Sequence, residues 1–170
     1  TVAKGVQEQS IYMRGVGSGT NKGFEQSVTQ FVDGMSVTRS QQYTVPLLDL
    51  ERIEVLKGTQ GVLFGKNTIA GVINTVSKSP VIGGDLDAFI SHESVPNWSS
   101  RKTSMATNVP LNDNFAMRIA LSSTTSDGWV DNAYTFKQEP SSSHEAIRAT
   151  FLYELDNMEV NLKLFKSESD

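Results

Sequence analysis

The chain has 170 residues, of which 38% are hydrophobic and 20% are charged, and it contains no cysteine. Its 15 basic and 19 acidic side chains give a formal net charge of -4, which argues against nucleic-acid binding, since that binding relies on neutralised phosphates. The lack of cysteine excludes disulfides, thiol catalysis and cysteine-ligated zinc in this chain. No stretch reaches the roughly 18 apolar residues that a membrane-spanning helix requires.

The two halves of the chain differ in composition. Residues 1–80 carry 8 basic and 6 acidic side chains, whereas residues 81–170 carry 7 and 13. Ten of the 13 glycines fall before residue 80, so tight turns concentrate in the first half. We therefore predict two domains, 1–80 and 81–170, that meet at Ser79 and Pro80.

The first half predicts a small mixed sheet with irregular loops. A short strand is expected over 11–15, and a second over 30–34, where Asp33 and Gly34 favour a sharp reversal. Two further strands are expected over 48–58 and 72–78, with a glycine-punctuated segment between them.

The second half alternates apolar and polar side chains with a period of two, which is typical of strands with one apolar face. In 114–122 the apolar side chains are Phe115, Met117, Ile119 and Leu121. Five strands are predicted, over 85–93, 101–109, 114–122, 146–155 and 158–165.

The predicted strands are joined by alternating short and long connections. The turns at 110–114 and 156–157 are tight and polar, whereas the connection 126–143 is long. This arrangement is typical of membrane β-barrels, but a soluble β-sandwich shows the same alternation. Since a barrel in lipid must close and needs about eight strands, a barrel interpretation implies that this chain is a fragment.

Sequence motifs for catalysis and cofactor binding are incomplete. The segment 60–67 is close to a phosphate-binding loop, but Gln60 replaces its first glycine and Asn67 its metal-binding hydroxyl. His92 and His144 stand alone, without acidic residues at ligand spacing. We predict no enzymatic activity, catalytic residue, metal site or cofactor.

Three segments together resemble a known family. They are YMRGVG at 12–17, FVDG at 31–34 and LERIEVLKGTQGVLFGKNTIAGVINTVSK at 50–78. In order and spacing they are similar to the plug domain of TonB-dependent outer-membrane receptors; Thr59 departs from the proline usual in the family. The resemblance implies an α+β plug followed by antiparallel strands of a transmembrane β-barrel, which is incomplete in this chain.

The resemblance also implies a function. Such receptors import a scarce nutrient, most often a ferric siderophore, across the bacterial outer membrane, and the plug gates the passage. The implied partners are the substrate, outer-membrane lipid and the periplasmic protein TonB, which would act through a segment absent here. Haem, cobalamin and oligosaccharides stay open as substrates. The alternative is a soluble, non-enzymatic β-rich binding or adhesion module.

The resemblance assigns roles to particular residues. Arg14 and Arg52 match plug arginines that pair with glutamates of the barrel wall, so both are expected to be unpaired in this chain. The loops 16–24 and 36–43 are the implied apical loops. Their candidate substrate contacts are Asn21, Phe24, Gln41, Gln42 and Tyr43.

In a barrel, the apolar faces of the strands would contact lipid and the polar faces would contact the lumen. An arginine at Ile119 would then be harmful, and an arginine at Ala120 milder.

Overall fold

The computed structural model describes residues 11–17, 27–37, 47–65, 68–95, 99–128 and 130–169. The chain divides into two compact units, Thr1–Lys78 and Ser79–Asp170. The division lies two residues before the predicted domain boundary.

The first unit contains a four-stranded sheet in the order β2-β1-β4-β3. Strands β1 and β4 run parallel, and the other two neighbouring pairs are antiparallel, so the predicted mixed sheet is confirmed. A single helical turn, α1, precedes β4. The bounds are β1 Val28–Val32, β2 Met35–Val37, β3 Leu50–Lys57, α1 Gly61–Phe64 and β4 Gly71–Ser77.

The predicted reversal at Asp33 and Gly34 is confirmed and joins β1 to β2. Both residues have left-handed backbone angles, with φ of 50° and 82°, which glycine and aspartate tolerate better than most residues. The Asp33 carboxylate also reaches the end of β4, where it accepts hydrogen bonds from Ser77 N at 2.8 Å and Ser77 Oγ at 2.6 Å. The Asp33 side chain therefore fixes the turn and also fixes the distance between the turn and β4.

The strand predicted over 11–15 is wrong, because these residues form a turn. Met13 and Val16 exchange two backbone hydrogen bonds, of 2.9 and 3.0 Å. Between them Arg14 and Gly15 have positive φ angles of 53° and 80°, which reverse the chain instead of extending it. Met13 turns inwards and packs with Val28 and Ala70 in a small buried cluster.

The second unit contains a five-stranded antiparallel sheet in the order β11-β10-β7-β6-β5. All five predicted strands are present; four extend beyond their predicted ends, and β10 begins four residues before its predicted start. The extra pairs include serine and threonine residues, such as Ser123 opposite Thr103, where alternation fades but backbone pairing continues. The bounds are β5 Asp87–Val95, β6 Ser100–Asn112, β7 Phe115–Ser126, β10 Ser142–Leu155 and β11 Met158–Ser169.

The long connection between β7 and β10 contains a small hairpin that the sequence did not predict. Its strands are β8 Val130–Asn132 and β9 Lys137–Glu139. The Asn132 side chain accepts hydrogen bonds from Tyr134 N and Thr135 N, at 2.9 and 3.1 Å, and thereby stabilises the turn. The interaction is local, and the strands have only three residues each.

No helix within the described part of the chain is long and apolar enough to cross a membrane.

Candidate functional site

Arg52 lies on β3, an edge strand of the four-stranded sheet, and is surrounded by hydrogen-bond acceptors from its own strand. Its Nε donates to Glu54 Oε1 at 2.7 Å, and its Nη1 donates to Glu51 Oε1 at 2.6 Å. Half of the Arg52 side chain is exposed. The guanidinium therefore donates hydrogen bonds to two carboxylates and remains accessible to solvent.

The second oxygen of Glu54 connects this group to the neighbouring strand. Asn74 on β4 lies directly opposite Glu54 and donates from Nδ2 to Oε2 at 2.8 Å. The hydrogen bond from Arg52, followed by that from Asn74, lowers the pKa of Glu54 below its usual value. The hydrogen bond to Glu54 raises the pKa of Arg52 in turn. We call Arg52, Glu51, Glu54 and Asn74 the arginine cluster.

The expectation that Arg52 is unpaired is therefore wrong. A barrel glutamate is not needed to satisfy this guanidinium, because Glu54 sits two positions along the same strand face. Arg14 is exposed at the tip of the turn between Met13 and Val16. The two arginines thus belong to different local structures, a turn and a strand.

The candidate substrate contacts of the apical loops lie outside the described residues. This applies to Asn21, Phe24, Gln41, Gln42 and Tyr43. Their assignment remains a prediction.

The five-stranded sheet of the second unit has an apolar face, here called the outer face. Its side chains are aligned across strands, as in the row Ile90, Met105, Leu121 and Ile147. Leu162 and Leu164 on β11 continue this face and are 53% and 55% exposed. At one end, next to the tight turns, Phe115 packs against Phe151 and Tyr153 with ring centroids 6.4 and 6.1 Å apart.

The opposite face, here called the inner face, is buried and partly polar. Across three strands, Asn108, Arg118 and Thr150 form one row, and the next row contains Ala106, Ala120 and Arg148. All six are buried. The predicted alternation is thus confirmed, and the small alanines leave room for the long arginine side chains beside them.

The described residues include no group of three histidine, aspartate or glutamate side chains that could hold a metal ion. Their polar groups instead make structural contacts. For two such residues the sequence does not indicate the contact that the structure shows. The sequence indicates only a turn at Asp33, and a lone asparagine in an alternating strand, such as Asn108, carries no signal of its own.

Comparison with known proteins accounts for both units. The family model described as TonB-dependent Receptor Plug Domain matches residues 2–72. Together with the relatives and structures below, this match supports a fragment of a TonB-dependent receptor. The predicted fold class, a plug followed by antiparallel barrel strands that do not close in this chain, is confirmed. TonB-dependent siderophore receptors are outer-membrane proteins of Gram-negative bacteria, as the predicted location requires.

The relatives in sequence are receptors for ferric siderophores and for pesticin. The ferrienterobactin receptor of Escherichia coli K12 is 32% identical over 111 residues, which cover 62% of this chain and 15% of that protein. The pesticin receptor of Yersinia pestis is 35% identical over 71 residues, or 42% of this chain and 10% of that protein. The chain thus spans a small part of the length of these relatives.

Solved structures share the fold. The ferric yersiniabactin uptake receptor FyuA of Yersinia pestis superposes with a TM-score of 0.76 at 21% identity, covering 85% of this chain and 23% of that one. The pyoverdine receptor FpvA of Pseudomonas aeruginosa gives a TM-score of 0.74 at 16% identity, covering 94% of this chain and 22% of that one. Each of these two matches covers more residues than either unit contains, so each match extends over both units.

Proposed function

We propose that this chain supplies the plug and several wall strands of an outer-membrane receptor that imports a ferric siderophore. The observation that carries the proposal is the occurrence of a plug sheet and a two-faced sheet of long strands in one chain. Strands β7, β10 and β11 have 12, 14 and 12 residues. The roughly 9 to 11 residues that cross a bilayer fit within each of them.

The outer face argues against the alternative of a soluble binding module. Ile90 is 71% exposed, and its neighbours on the same face are also accessible. A soluble domain that exposed such a continuous apolar face would aggregate, whereas lipid would cover it. The aromatic group around Phe115 and Tyr153 supports the same orientation, since aromatic side chains gather at bilayer interfaces.

The relatives support a ferric siderophore as the substrate class. They include receptors for ferric enterobactin, ferric yersiniabactin and pyoverdine. The proposal extends this class to the present chain, with the apical loops of the plug as the contact region and TonB as the energy-coupling partner. Asn21, Phe24 and Tyr43 are the first residues to test there.

The proposed lock between plug and barrel involves Arg14 and Arg52. Arg52 is half exposed, so a glutamate from the barrel wall has access to it. Such a glutamate would compete with Glu51 and Glu54 for the same donors, and the arginine cluster would then set the strength of the lock. Arg14 is exposed at the tip of its turn, a position that suits pairing with a barrel glutamate as well.

The proposal is tested on the full-length receptor that contains this chain, expressed in a Gram-negative strain without its own siderophore receptors. The receptor is extracted from outer membranes in detergent, and its tryptophan fluorescence is followed during titration with ferric enterobactin, ferric yersiniabactin, ferric pyoverdine, haem and cobalamin. We expect saturable binding of one ferric siderophore. Recovery in the soluble fraction would support the soluble module, and binding of haem or cobalamin alone would overturn the substrate class.

A further inference from the structure

The segment that joins the two units is held by hydrogen bonds close to both of its ends. Lys78 N donates to Asp49 O at 3.0 Å in the first unit. Val81 is held in the second unit, where its N donates to Asn108 Oδ1 at 2.9 Å and its O accepts from Asn108 Nδ2 at 3.1 Å. Between these positions lie Ser79 and Pro80.

Asn108 is well placed to hold this segment. Its side chain is 2% exposed and uses both ends of its amide on the backbone of one residue. This reciprocal pair imitates the exchange of bonds between two strand residues. Because a buried amide without partners is strongly unfavourable, the pair favours one position of Val81 over others.

We propose that the Asn108–Val81 pair, here called the connector clamp, fixes the point at which the chain passes from the plug to the barrel wall. This inference rests on the proposed function. During transport, the part of the chain that moves with the plug would then end at Ser79 and Pro80. Proline adds stiffness there, because its ring fixes φ.

Loss of the connector clamp would lengthen the free segment. The next position held by β6 is Asp87, whose carbonyl accepts from Thr107 Oγ1 at 3.0 Å. The free segment would grow from residues 79–80 to residues 79–86, which adds a reach of about 20 Å when extended. Gly83, with φ of 68°, lies in this added part, and glycine restricts the backbone less than any other residue.

The test is hydrogen exchange on the full-length receptor in detergent, with Asn108→Ala compared with Asn114→Ala. Asn114 is a matched control, because its exposed side chain also donates to a backbone carbonyl, that of Glu154, at 3.0 Å. We expect Asn108→Ala to accelerate exchange over 79–86 roughly tenfold, without change in β7 and β10, and Asn114→Ala to leave 79–86 unaffected. Unchanged exchange over 79–86, or equal acceleration in β7 and β10, would overturn the connector clamp.

If Asn108→Ala does not assemble, Val81→Pro removes the backbone donor and leaves Asn108 in place. Faster exchange over 82–86 is then expected, and an unchanged rate would refute the proposal.

Siderophore uptake by Asn108→Ala is measured in parallel, and we expect it to fall at unchanged receptor abundance. Unchanged uptake would contradict the role in transport. If the wild type imports no siderophore, the proposed function fails, while the exchange result still decides on the connector clamp.

Discussion

Arg52 and Glu54 stand two residues apart on one face of a plug strand, joined by a hydrogen bond of 2.7 Å between Nε and Oε1. Since strand side chains alternate, this spacing places the cation and the anion side by side without any bend in the chain. Asn74 fixes the remaining Glu54 oxygen from the neighbouring strand. The guanidinium is thus oriented before any barrel residue approaches it.

Glu54 should make the stability of the plug sheet sensitive to acid. Its folded-state pKa is lowered from 4.5, chiefly by the hydrogen bond from Arg52. A group with a lowered folded pKa contributes stability above its unfolded pKa, and that contribution disappears as pH falls through the folded value. We expect hydrogen-exchange protection of β3 and β4 to decrease as the pH falls below about 4.5.

Glu54→Gln should show a smaller pH-dependent decrease, because the substituted residue does not titrate. Lys57→Gln, on the same strand, is the matched control and should retain the wild-type dependence. Identical pH profiles for wild type and Glu54→Gln would show that the arginine cluster does not contribute to the acid response.

Gly71 and Gly61 should respond very differently to alanine. A Cβ at Gly71 would lie 2.5 Å from Leu56 O and would also contact Met13 Sδ, and its φ of 156° is unfavourable for alanine. A Cβ at Gly61, in α1, meets nothing within 4 Å. We expect Gly71→Ala to destabilise the plug by about 2 to 4 kcal/mol and Gly61→Ala to change its stability by less than about 1 kcal/mol, as measured by exchange in β4. Equal losses of stability in the two variants would contradict the backbone geometry described at Gly71.

Asp33→Asn should weaken the link between the β1–β2 turn and β4. Asparagine tolerates the left-handed backbone angle, so the substitution isolates the loss of the charged acceptor. Ser77 N and Oγ both donate to this carboxylate, and Ser77 is 1% exposed. We expect a loss of about 1 to 3 kcal/mol in plug stability, measured as exchange of the Ser77 amide. Asp85→Asn, in the other unit, should have no such effect.

Ile119→Arg should destabilise the assembled barrel by about 2 to 4 kcal/mol if Ile119 lies near the bilayer midplane. The matched control is Ser123→Arg, because Ser123 shares the outer face but lies opposite Glu145, beyond the apolar rows. We expect a much smaller effect there, as measured by urea unfolding in lipid vesicles. Similar losses at both sites would contradict the orientation of the outer face.

We expect Ala120→Arg to be harmful as well, whereas alternation alone predicts a milder effect. Ala120 is 1% exposed and lies opposite Arg148 on the inner face. An arginine there would meet both packing overlap and a neighbouring positive charge. The sequence identified the face correctly but did not reveal how closely it is packed.

Local chemistry explains which elements were predictable. The Asp33–Gly34 reversal follows from backbone preferences, and the five strands follow from side-chain alternation, so both were predicted. The turn at Met13–Val16 was missed because Arg14 adopts a positive φ that its residue type does not favour. The hairpin β8–β9 was missed because its stability depends on hydrogen bonds that the Asn132 side chain accepts from the turn backbone.

Non-local contacts explain what the sequence did not disclose about the site. The sequence analysis did not predict the pairing of Arg52 with Glu54, although their spacing permits it, and the third partner, Asn74, depends on the register of β3 with β4. The role of Asn108 depends on where the backbone of Val81 lies, 27 residues earlier in the chain. Such positions are set by tertiary packing and carry no pattern in a single sequence.

Uptake of radiolabelled iron is the most direct test of the proposed import of a ferric siderophore. Cells lacking other siderophore receptors would express the full-length protein, with and without functional TonB, and receive the labelled ferric siderophore that binds it. We predict iron accumulation only in cells with functional TonB. Receptor correctly inserted in the outer membrane, with no accumulation above cells that lack it for any ferric siderophore tested, would contradict the account.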